Sequence, residues 1–269
     1  MDVIHTLITA DLLRQNLTKV RVLDCRTRLG DPAYGKAVYS EGHIPGAIHV
    51  DLDLHMAAPP GPQGRHPLPA RTEWLGSCRA WGLNDEDTII AYDDAGGAFA
   101  ARAWWMLRWL GHARTGVLDG GLASWSDGLD TETPRPSRGN FSDRPPLTRI
   151  ITAQGIEARS DTTLIDARAA ARFEGREEPI DHTAGHIPGA ICVPFNGNLG
   201  PDGCFLSAAT LRERFASFPE DTVCYCGSGV TAAHNILAMC IAGLPEPALY
   251  PGSWSEWIES PDRPVATGP

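Results

Sequence analysis

The chain has 269 residues, of which 42% are hydrophobic and 21% are charged, a composition typical of a soluble globular protein with one large domain or two of ordinary size. Its formal net charge of −10 argues against a nucleic-acid partner, because phosphate binding requires clustered Lys and Arg. The first residues have no signal-peptide pattern, and no run of about 18 apolar residues predicts a membrane span, so we expect a cytoplasmic protein without a membrane partner.

In chain order, short runs of β-branched and aliphatic residues alternate with longer apolar patterns of helical period. The short runs predict buried strands at residues 20–23, 88–92, 163–165 and 222–225. Apolar helices are predicted at residues 98–110 and 230–242, directly after the second and fourth strands. The alternation predicts an α/β fold with parallel sheets that have helices on both faces.

The two halves of the chain repeat three sequence blocks in the same order. The matching pairs are residues 22–26 with 164–168, 42–48 with 185–191, and 88–93 with 221–226. The second pair is identical over Gly-His-Ile-Pro-Gly-Ala-Ile. This repetition predicts two homologous domains.

The predicted domain bounds are 1–129 and 147–269. Between them, residues 130–146 are rich in Pro, Ser, Arg and Thr without apolar periodicity, which predicts a linker. The first half also has a longer connection at residues 57–71, whose Pro and Gly content predicts a loop.

Seven cysteines are spread irregularly along the chain, which does not predict a disulfide framework and favours a reducing compartment. Cys224 and Cys226 form a Cys-x-Cys pair, but no second pair of Cys or His accompanies them. We therefore expect no metal site and interpret most of these thiols as buried side chains.

The predicted strand at 222–225 is followed by a loop with the sequence Cys226-Gly227-Ser228-Gly229-Val230-Thr231. Its two glycines allow the backbone N–H groups to converge in front of a helix N-terminus. Both features stabilise a thiolate or a persulfide, so Cys226 is a candidate nucleophile rather than only a small residue at a tight turn. The matching residue of the first half is Asp93, which cannot attack sulfur, so we expect one competent site.

These motifs resemble those of the tandem rhodanese family of sulfurtransferases. The resemblance rests on the cysteine loop, the duplicated His-Ile-Pro-Gly-Ala block and the closing Tyr-Pro-Gly-Ser-Trp-Ser-Glu-Trp at 250–257, and it covers nearly all of the chain except the linker. It implies two rhodanese domains, of which the first is inactive with Asp93 at the cysteine position and the second carries sulfur as a persulfide on Cys226. No cofactor is implied, because the protein's own sulfur carries the group.

The loop subtype is similar to that of 3-mercaptopyruvate sulfurtransferases, whereas animal thiosulfate sulfurtransferases have Arg and Lys after the cysteine. The resemblance assigns Arg172 to the anionic group of the donor, which a guanidinium binds through paired hydrogen bonds. Further donor contacts are expected from Gly227, Gly229, Val230 and Thr231. A second arginine that these enzymes have near Ile180 is missing here, and Arg176 is the nearest candidate to replace it. The donor, 3-mercaptopyruvate or thiosulfate, stays open.

Mercaptopyruvate enzymes are also described with a Ser-His-Asp relay, which would map to Ser228, His43 and Asp31. The alternative for His43 is a structural turn, because the His-Ile-Pro-Gly block occurs in both halves and only one half has the cysteine.

The expected reaction has two steps, in which Cys226 takes sulfur from a small-molecule donor and a thiophilic acceptor then removes it. Candidate acceptors are cyanide, a thiol and thioredoxin, and we expect a monomer. A persulfide carrier or redox sensor acting on a partner protein is the alternative function, since the same cysteine would serve both. A cysteine phosphatase of related fold is disfavoured, because its motif requires Arg where this chain has Ala232.

Overall fold

The computed structural model describes residues 6–159 and 161–269, which form two compact units. The first unit contains the chain up to Ala58 together with Pro69–Thr148 and Pro201–Cys204. The second unit contains Pro59–Leu68, Arg149–Gly200 and Phe205–Pro269. Across the described part of the chain, no helix is long and apolar enough to span a bilayer.

The first unit is built around a five-stranded parallel sheet. Its strands are β1 (Leu7–Ile8), β2 (Val20–Asp24), β3 (Ile48–His49), β4 (Thr88–Tyr92) and β5 (Thr115–Leu118). Its α-helices are α1 (Ala10–Asn16), α2 (Tyr34–Glu41), α3 (Arg71–Ala80) and α4 (Ala100–Trp109). The strand order is β1-β5-β4-β2-β3, and every pairing is parallel.

The second unit repeats this plan with four strands. They are β6 (Leu164–Asp166), β7 (Ile191–Cys192), β8 (Val223–Tyr225) and β9 (Ala248–Leu249). The α-helices are α5 (Ala153–Glu157), α6 (Ala170–Phe173), α7 (Ala208–Phe215), α8 (Ala232–Ile241) and α9 (Ser253–Trp257). The order β7-β6-β8-β9 is again parallel throughout.

The predicted α/β fold with parallel sheets is confirmed. The four predicted strands correspond to β2, β4, β6 and β8, and the two predicted helices correspond to α4 and α8. Most residues of these elements are buried, because both faces of a central parallel strand are covered by the rest of the domain. Their sequences are therefore mostly apolar, with the exposed Arg21 of β2 as an exception, and this pattern predicted them.

The repeated Asp-x-Arg block forms the same buried ion pair in both units. Arg26 donates to the Asp24 carboxylate at 2.6 Å and to the carbonyl of Gly42 at 2.7 Å. Arg168 makes the two equivalent contacts, each at 2.7 Å, with Asp166 and Gly185. The pair connects a strand end to the His-Ile-Pro-Gly turn, so these blocks recur for a structural reason.

The segment predicted as a linker, residues 130–146, packs along the first unit. His43 and Asp130 exchange backbone hydrogen bonds of 2.9 and 2.8 Å. The N–H of Gly139 donates to the carbonyl of Arg79 at 2.8 Å, and the Phe141 side chain is fully buried. The contact-based boundary therefore falls after Thr148 rather than at the predicted residue 129.

The connection at 57–71 has little regular structure before α3, as predicted, but Pro59–Leu68 belongs by its contacts to the second unit. Arg65, for example, donates its backbone N–H to Ser255 Oγ at 3.1 Å. The prediction had placed this segment in the domain 1–129. Because Pro59–Leu68 belongs to the second unit, its side chains lie in the same unit as the cysteine loop.

Candidate active site

Cys226 directly follows β8, and its side chain is 2% exposed. The Cys226 N–H donates to Ser253 Oγ at 3.1 Å, and the Cys226 carbonyl accepts the N–H of Trp254 at 3.0 Å. The carbonyl of Gly227 accepts the N–H of Ser255 at 2.9 Å. The closing block of the chain thus fixes the cysteine loop, a role that the sequence did not reveal.

Ser253 has an unusual backbone conformation for a residue with a side chain. Its φ is +54°, in the left-handed region, and its buried hydroxyl donates to the carbonyl of Tyr250 at 2.9 Å. Such a conformation costs of order 1–2 kcal/mol in a non-glycine residue. Here it aims the hydroxyl oxygen at the N–H of Cys226.

Three of the predicted donor-contact residues have contacts that build the loop itself. Gly229 has a φ of +75°, and an added Cβ would lie 2.2 Å from the carbonyl oxygen of Pro251. The carbonyls of Val230 and Thr231 each accept an N–H from the first turn of α8 at 3.2 Å. These residues form the turn between Cys226 and α8.

Arg172 lies beside the cysteine loop, where the sequence prediction requires it. Its Nη1 is 3.4 Å from the position that a Cβ on Gly227 would occupy, and its Nη2 donates to Glu178 at 2.7 Å. Arg176 differs, because its side chain is 61% exposed and pairs with Glu174 at 2.5 Å. Arg172 therefore lies next to Gly227, whereas Arg176 forms a surface ion pair, and the donor contacts expected of both residues stay predictions.

Sequence reasoning missed Arg65, which also lies against the loop. Its Nη2 is 2.9 Å from the same Cβ position at Gly227, and its Nη1 forms an ion pair with Asp181. Burial and then the neighbouring Arg172 charge lower the pKa of Arg65, while Cys226 raises it. Arg65 lies in the 57–71 connection, which is longer than its counterpart in the second half. That extra length was the only feature of the sequence that pointed to this segment.

The next residue, His66, was missed as well. Its Nδ1 lies 2.7 Å from the hydroxyl oxygen of Ser228, whose side chain is 5% exposed. Ser228 therefore has a histidine neighbour, His66, that the sequence analysis did not name.

His43 has structural contacts in the first unit. Its ring stacks on Tyr39 at 3.9 Å, and its Nδ1 and Nε2 lie 2.8 and 3.3 Å from the carbonyls of Tyr39 and Glu132. The equivalent His186 stacks on Phe173 at 3.7 Å and places its Nδ1 2.8 Å from the carbonyl of that residue. Both units use the histidine in the same way, which favours the structural-turn alternative, and the relay role of His43 stays a prediction.

Asp31, the third predicted relay member, lies in an exposed turn before α2. Its carboxylate accepts the N–H of Ala33 at 3.2 Å, and its own N–H donates to the carbonyl of Arg28 at 3.0 Å. These are the contacts of a turn-forming aspartate. The catalytic role of Asp31 stays a prediction.

Asp93 follows β4 as Cys226 follows β8, and it shows how such a loop holds an anion. Its buried carboxylate accepts four backbone N–H groups at 2.8–2.9 Å, from Ala95, Gly97, Phe99 and Ala100. Burial raises the pKa of Asp93, and these N–H groups act in the opposite direction. In the first unit, the loop that corresponds to the cysteine loop therefore binds the carboxylate of its own Asp93.

Cys224, two residues before Cys226, is fully buried in β8, and burial raises the pKa of its thiol well above the usual value. This environment does not suit a nucleophile. Within residues 6–159 and 161–269, no three His, Cys, Asp or Glu side chains are grouped as metal ligands would be.

Two parallel-sheet domains with one cysteine loop at a strand end define a rhodanese-type protein, and comparison with known proteins agrees. A family model described as "Rhodanese-like domain" matches residues 9–127 and 152–260. The chain is 49% identical to a Pseudomonas aeruginosa protein named "Probable 3-mercaptopyruvate sulfurtransferase", over 97% of this chain and 98% of that protein. It is 32% identical to "Thiosulfate/3-mercaptopyruvate sulfurtransferase 2" of Arabidopsis thaliana, over 96% and 85% of the two chains.

Among solved structures, the 3-mercaptopyruvate sulfotransferase SseA from Escherichia coli superimposes with a TM-score of 0.81 at 31% identity, over 93% of this chain and 99% of that one. The chain belongs to the rhodanese family. It is a sulfurtransferase with two rhodanese domains, as the sequence resemblance implied.

Proposed function

We propose that this sulfurtransferase carries sulfur as a persulfide on Cys226 and takes it from 3-mercaptopyruvate or thiosulfate. The observation that carries the proposal is the position of Cys226 in a fixed loop, where the guanidinium of Arg172 reaches the neighbouring Gly227. The equivalent loop of the first unit holds the Asp93 carboxylate instead, so we infer that this unit is inactive.

With thiosulfate, the Cys226 thiolate attacks the outer sulfur of the donor. The S–S bond of thiosulfate breaks, sulfite leaves with the bonding electron pair, and the cysteine becomes a persulfide anion. Arg172 binds the sulfonate end of the donor, and the start of α8 favours negative charge on the terminal sulfur.

With 3-mercaptopyruvate, the thiolate attacks the donor's thiol sulfur and the C–S bond breaks. The carbon fragment leaves as the enolate of pyruvate, which takes up the proton that the donor thiol carried. The Ser228–His66 pair supports this step, because its hydroxyl can donate a hydrogen bond to the oxygen on which the enolate charge develops. Arg172 binds the carboxylate.

A thiophilic acceptor then attacks the outer sulfur of the persulfide and restores the Cys226 thiolate. We propose a small thiol, cyanide or thioredoxin in this role, acting on a monomer in the cytoplasm. The seven free cysteines support a reducing compartment.

The test compares Cys226→Ser with Cys224→Ser. Each protein is incubated with donor, and intact-protein mass spectrometry detects the addition of one sulfur atom, while thiocyanate formation from cyanide measures turnover. Cys226→Ser should lose both signals and Cys224→Ser should keep both. Equal loss in the two variants, or sulfur loading on Cys226→Ser, would refute the assignment.

A further inference from the structure

A small cavity of the second unit has a single carboxylate in a mostly apolar wall. The cavity has a volume of about 190 Å³, and its apolar lining includes Leu68, Ile150 and Ile151. Among the described residues that line it, only Glu256 is charged. All of these residues belong to the second unit, and none of them belongs to the cysteine loop at 226–231.

The Glu256 carboxylate reaches this cavity because a glycine makes room for it. Gly252 has a φ of −67°, which any residue adopts, so the backbone conformation does not require glycine at this position. A Cβ on Gly252 would overlap the Glu256 carboxylate, so the missing side chain leaves the space that the carboxylate occupies. The N–H of Glu256 also donates to the carbonyl of Gly252 at 3.1 Å, which fixes the two residues relative to each other.

The Glu256 side chain is half-buried, and within the described part of the chain its carboxylate forms no ion pair shorter than 4 Å. Burial raises the pKa of Glu256, while the Tyr250 hydroxyl and the Arg263 charge act in the opposite direction. Arg263 forms its ion pair with Glu157 instead, at 3.5 Å. A carboxylate that is partly withdrawn from water and has no ion-pair partner favours the binding of a cation.

The size and lining of the cavity define the cation that fits it. A cavity of about 150 Å³ holds benzene, so this cavity has room for roughly six or seven heavy atoms. The apolar wall favours a hydrocarbon chain, and the single carboxylate favours one compact positive charge. A metal ion fits poorly, because one carboxylate supplies too few ligands.

We propose that this cavity binds a small primary alkylammonium ion, with the ammonium group on the Glu256 carboxylate and the alkyl chain against Leu68, Ile150 and Ile151. The inference goes beyond the proposed function, because the ligand carries no sulfur and its site contains no residue assigned to the sulfur donor.

The test uses n-pentylamine and 1-pentanol, which have the same alkyl chain and differ in charge. Each is titrated into the full-length protein at about pH 8, where the amine is protonated, and ligand-detected NMR gives the dissociation constants. Pentylammonium should bind roughly tenfold more tightly than pentanol, because it adds charge attraction to the hydrogen bond. Equal affinities of the two probes would overturn the inference.

Three variants locate the binding site. Glu256→Gln removes the charge at nearly constant side-chain size, so it should abolish the preference for pentylammonium and change pentanol binding by less than about twofold. Ile150→Ala should weaken the binding of both probes about threefold, because the apolar wall shrinks. The Ile150 side chain is 42% exposed, so its truncation leaves the fold intact. Glu259→Gln, at an exposed carboxylate three residues further on, is the matched control and should change neither constant.

Pentylammonium binding that is the same in Glu256→Gln as in the unmodified protein would place the ligand elsewhere on the acidic surface and overturn the inference. The measurement is of binding and not of sulfur transfer, so its outcome is independent of the proposed function.

Discussion

Gly227 and Gly229 are two residues apart, yet they are glycines for different reasons. A Cβ on Gly229 would lie 2.2 Å from a backbone oxygen, which cannot move easily. The residue also has a φ of +75°, which a residue with a side chain rarely adopts. The atoms nearest to a Cβ on Gly227 would be the guanidinium ends of two arginine side chains. Gly229 is therefore required by the backbone conformation, whereas Gly227 leaves space for the two guanidinium groups.

This difference predicts opposite outcomes for the two alanine substitutions. Gly229→Ala should lower the free energy of unfolding by roughly 1–3 kcal/mol, because a residue with a side chain is forced into a left-handed conformation. Gly227→Ala should change that free energy by less than about 0.5 kcal/mol and instead raise the KM for the sulfur donor, since it displaces the guanidinium groups. Urea denaturation and steady-state kinetics on both variants check this, and a stable Gly229→Ala protein would contradict it.

His66 and His43 provide a second comparison between single residues. His66→Ala should reduce kcat/KM for 3-mercaptopyruvate on the order of 100-fold, because the Ser228 hydroxyl that stabilises the developing enolate oxygen loses its hydrogen-bond partner. Its effect with thiosulfate should be much smaller, since no enolate forms when sulfite leaves.

His43→Ala serves as the contrasting variant. It should lower stability by roughly 1–3 kcal/mol through the loss of buried hydrogen bonds, and it should affect both donors equally. A donor-selective effect of His43→Ala would instead support the relay role of that residue.

At the scale of elements, the central strands β2, β4, β6 and β8 and the helices α4 and α8 were predictable, because their burial leaves a mostly apolar pattern. The segment 130–146 shows the limit of that approach. It has no periodicity, because it is held by backbone contacts such as that of Gly139 and by the single buried ring of Phe141. Its composition indicates a linker, whereas its contacts make it part of the first unit.

Phe141→Ala tests the structural importance of this segment. The ring is fully buried and lies 4.9 Å from the ring of His112, so its removal leaves a cavity that should cost roughly 3–5 kcal/mol of unfolding free energy. Arg138→Ala, at an exposed position of the same segment, should cost less than about 0.5 kcal/mol. Similar, small effects of both variants would indicate a linker that does not pack.

At the scale of the whole molecule, the two units do not coincide with the two halves of the sequence. Pro59–Leu68 comes from the first half and belongs to the second unit, and Pro201–Cys204 does the reverse. Arg65 and His66 therefore reach the cysteine loop from a connection that the family resemblance left without a role.

The distribution of buried histidines predicts how the first unit responds to acid. Burial is the main cause that lowers the pKa of His49, His55 and His112 below the usual value near 6.5. The unfolded chain then binds protons that the folded unit does not, so stability present above about pH 6.5 is lost as the pH falls below it.

Hydrogen-exchange mass spectrometry of peptides from β4 and α4 at about pH 7 and pH 5, corrected for intrinsic exchange rates, measures this loss. His112→Gln should make the opening free energy less dependent on pH. An unchanged opening free energy between the two pH values would contradict the prediction.

The sequence by itself determined the alternation of strands and helices, the duplication, and the contrast between Cys226 and Asp93. These features depend on local patterns, because a buried strand, a turn and a strand-end loop each consist of neighbouring residues. Only the tertiary structure decided which side chains complete the site. His66 and Ser228 are 162 positions apart in the chain, and Ser253 is 27 positions from Cys226. These residues come into contact only when the chain folds, so no pattern among neighbouring residues in the sequence predicts the contacts.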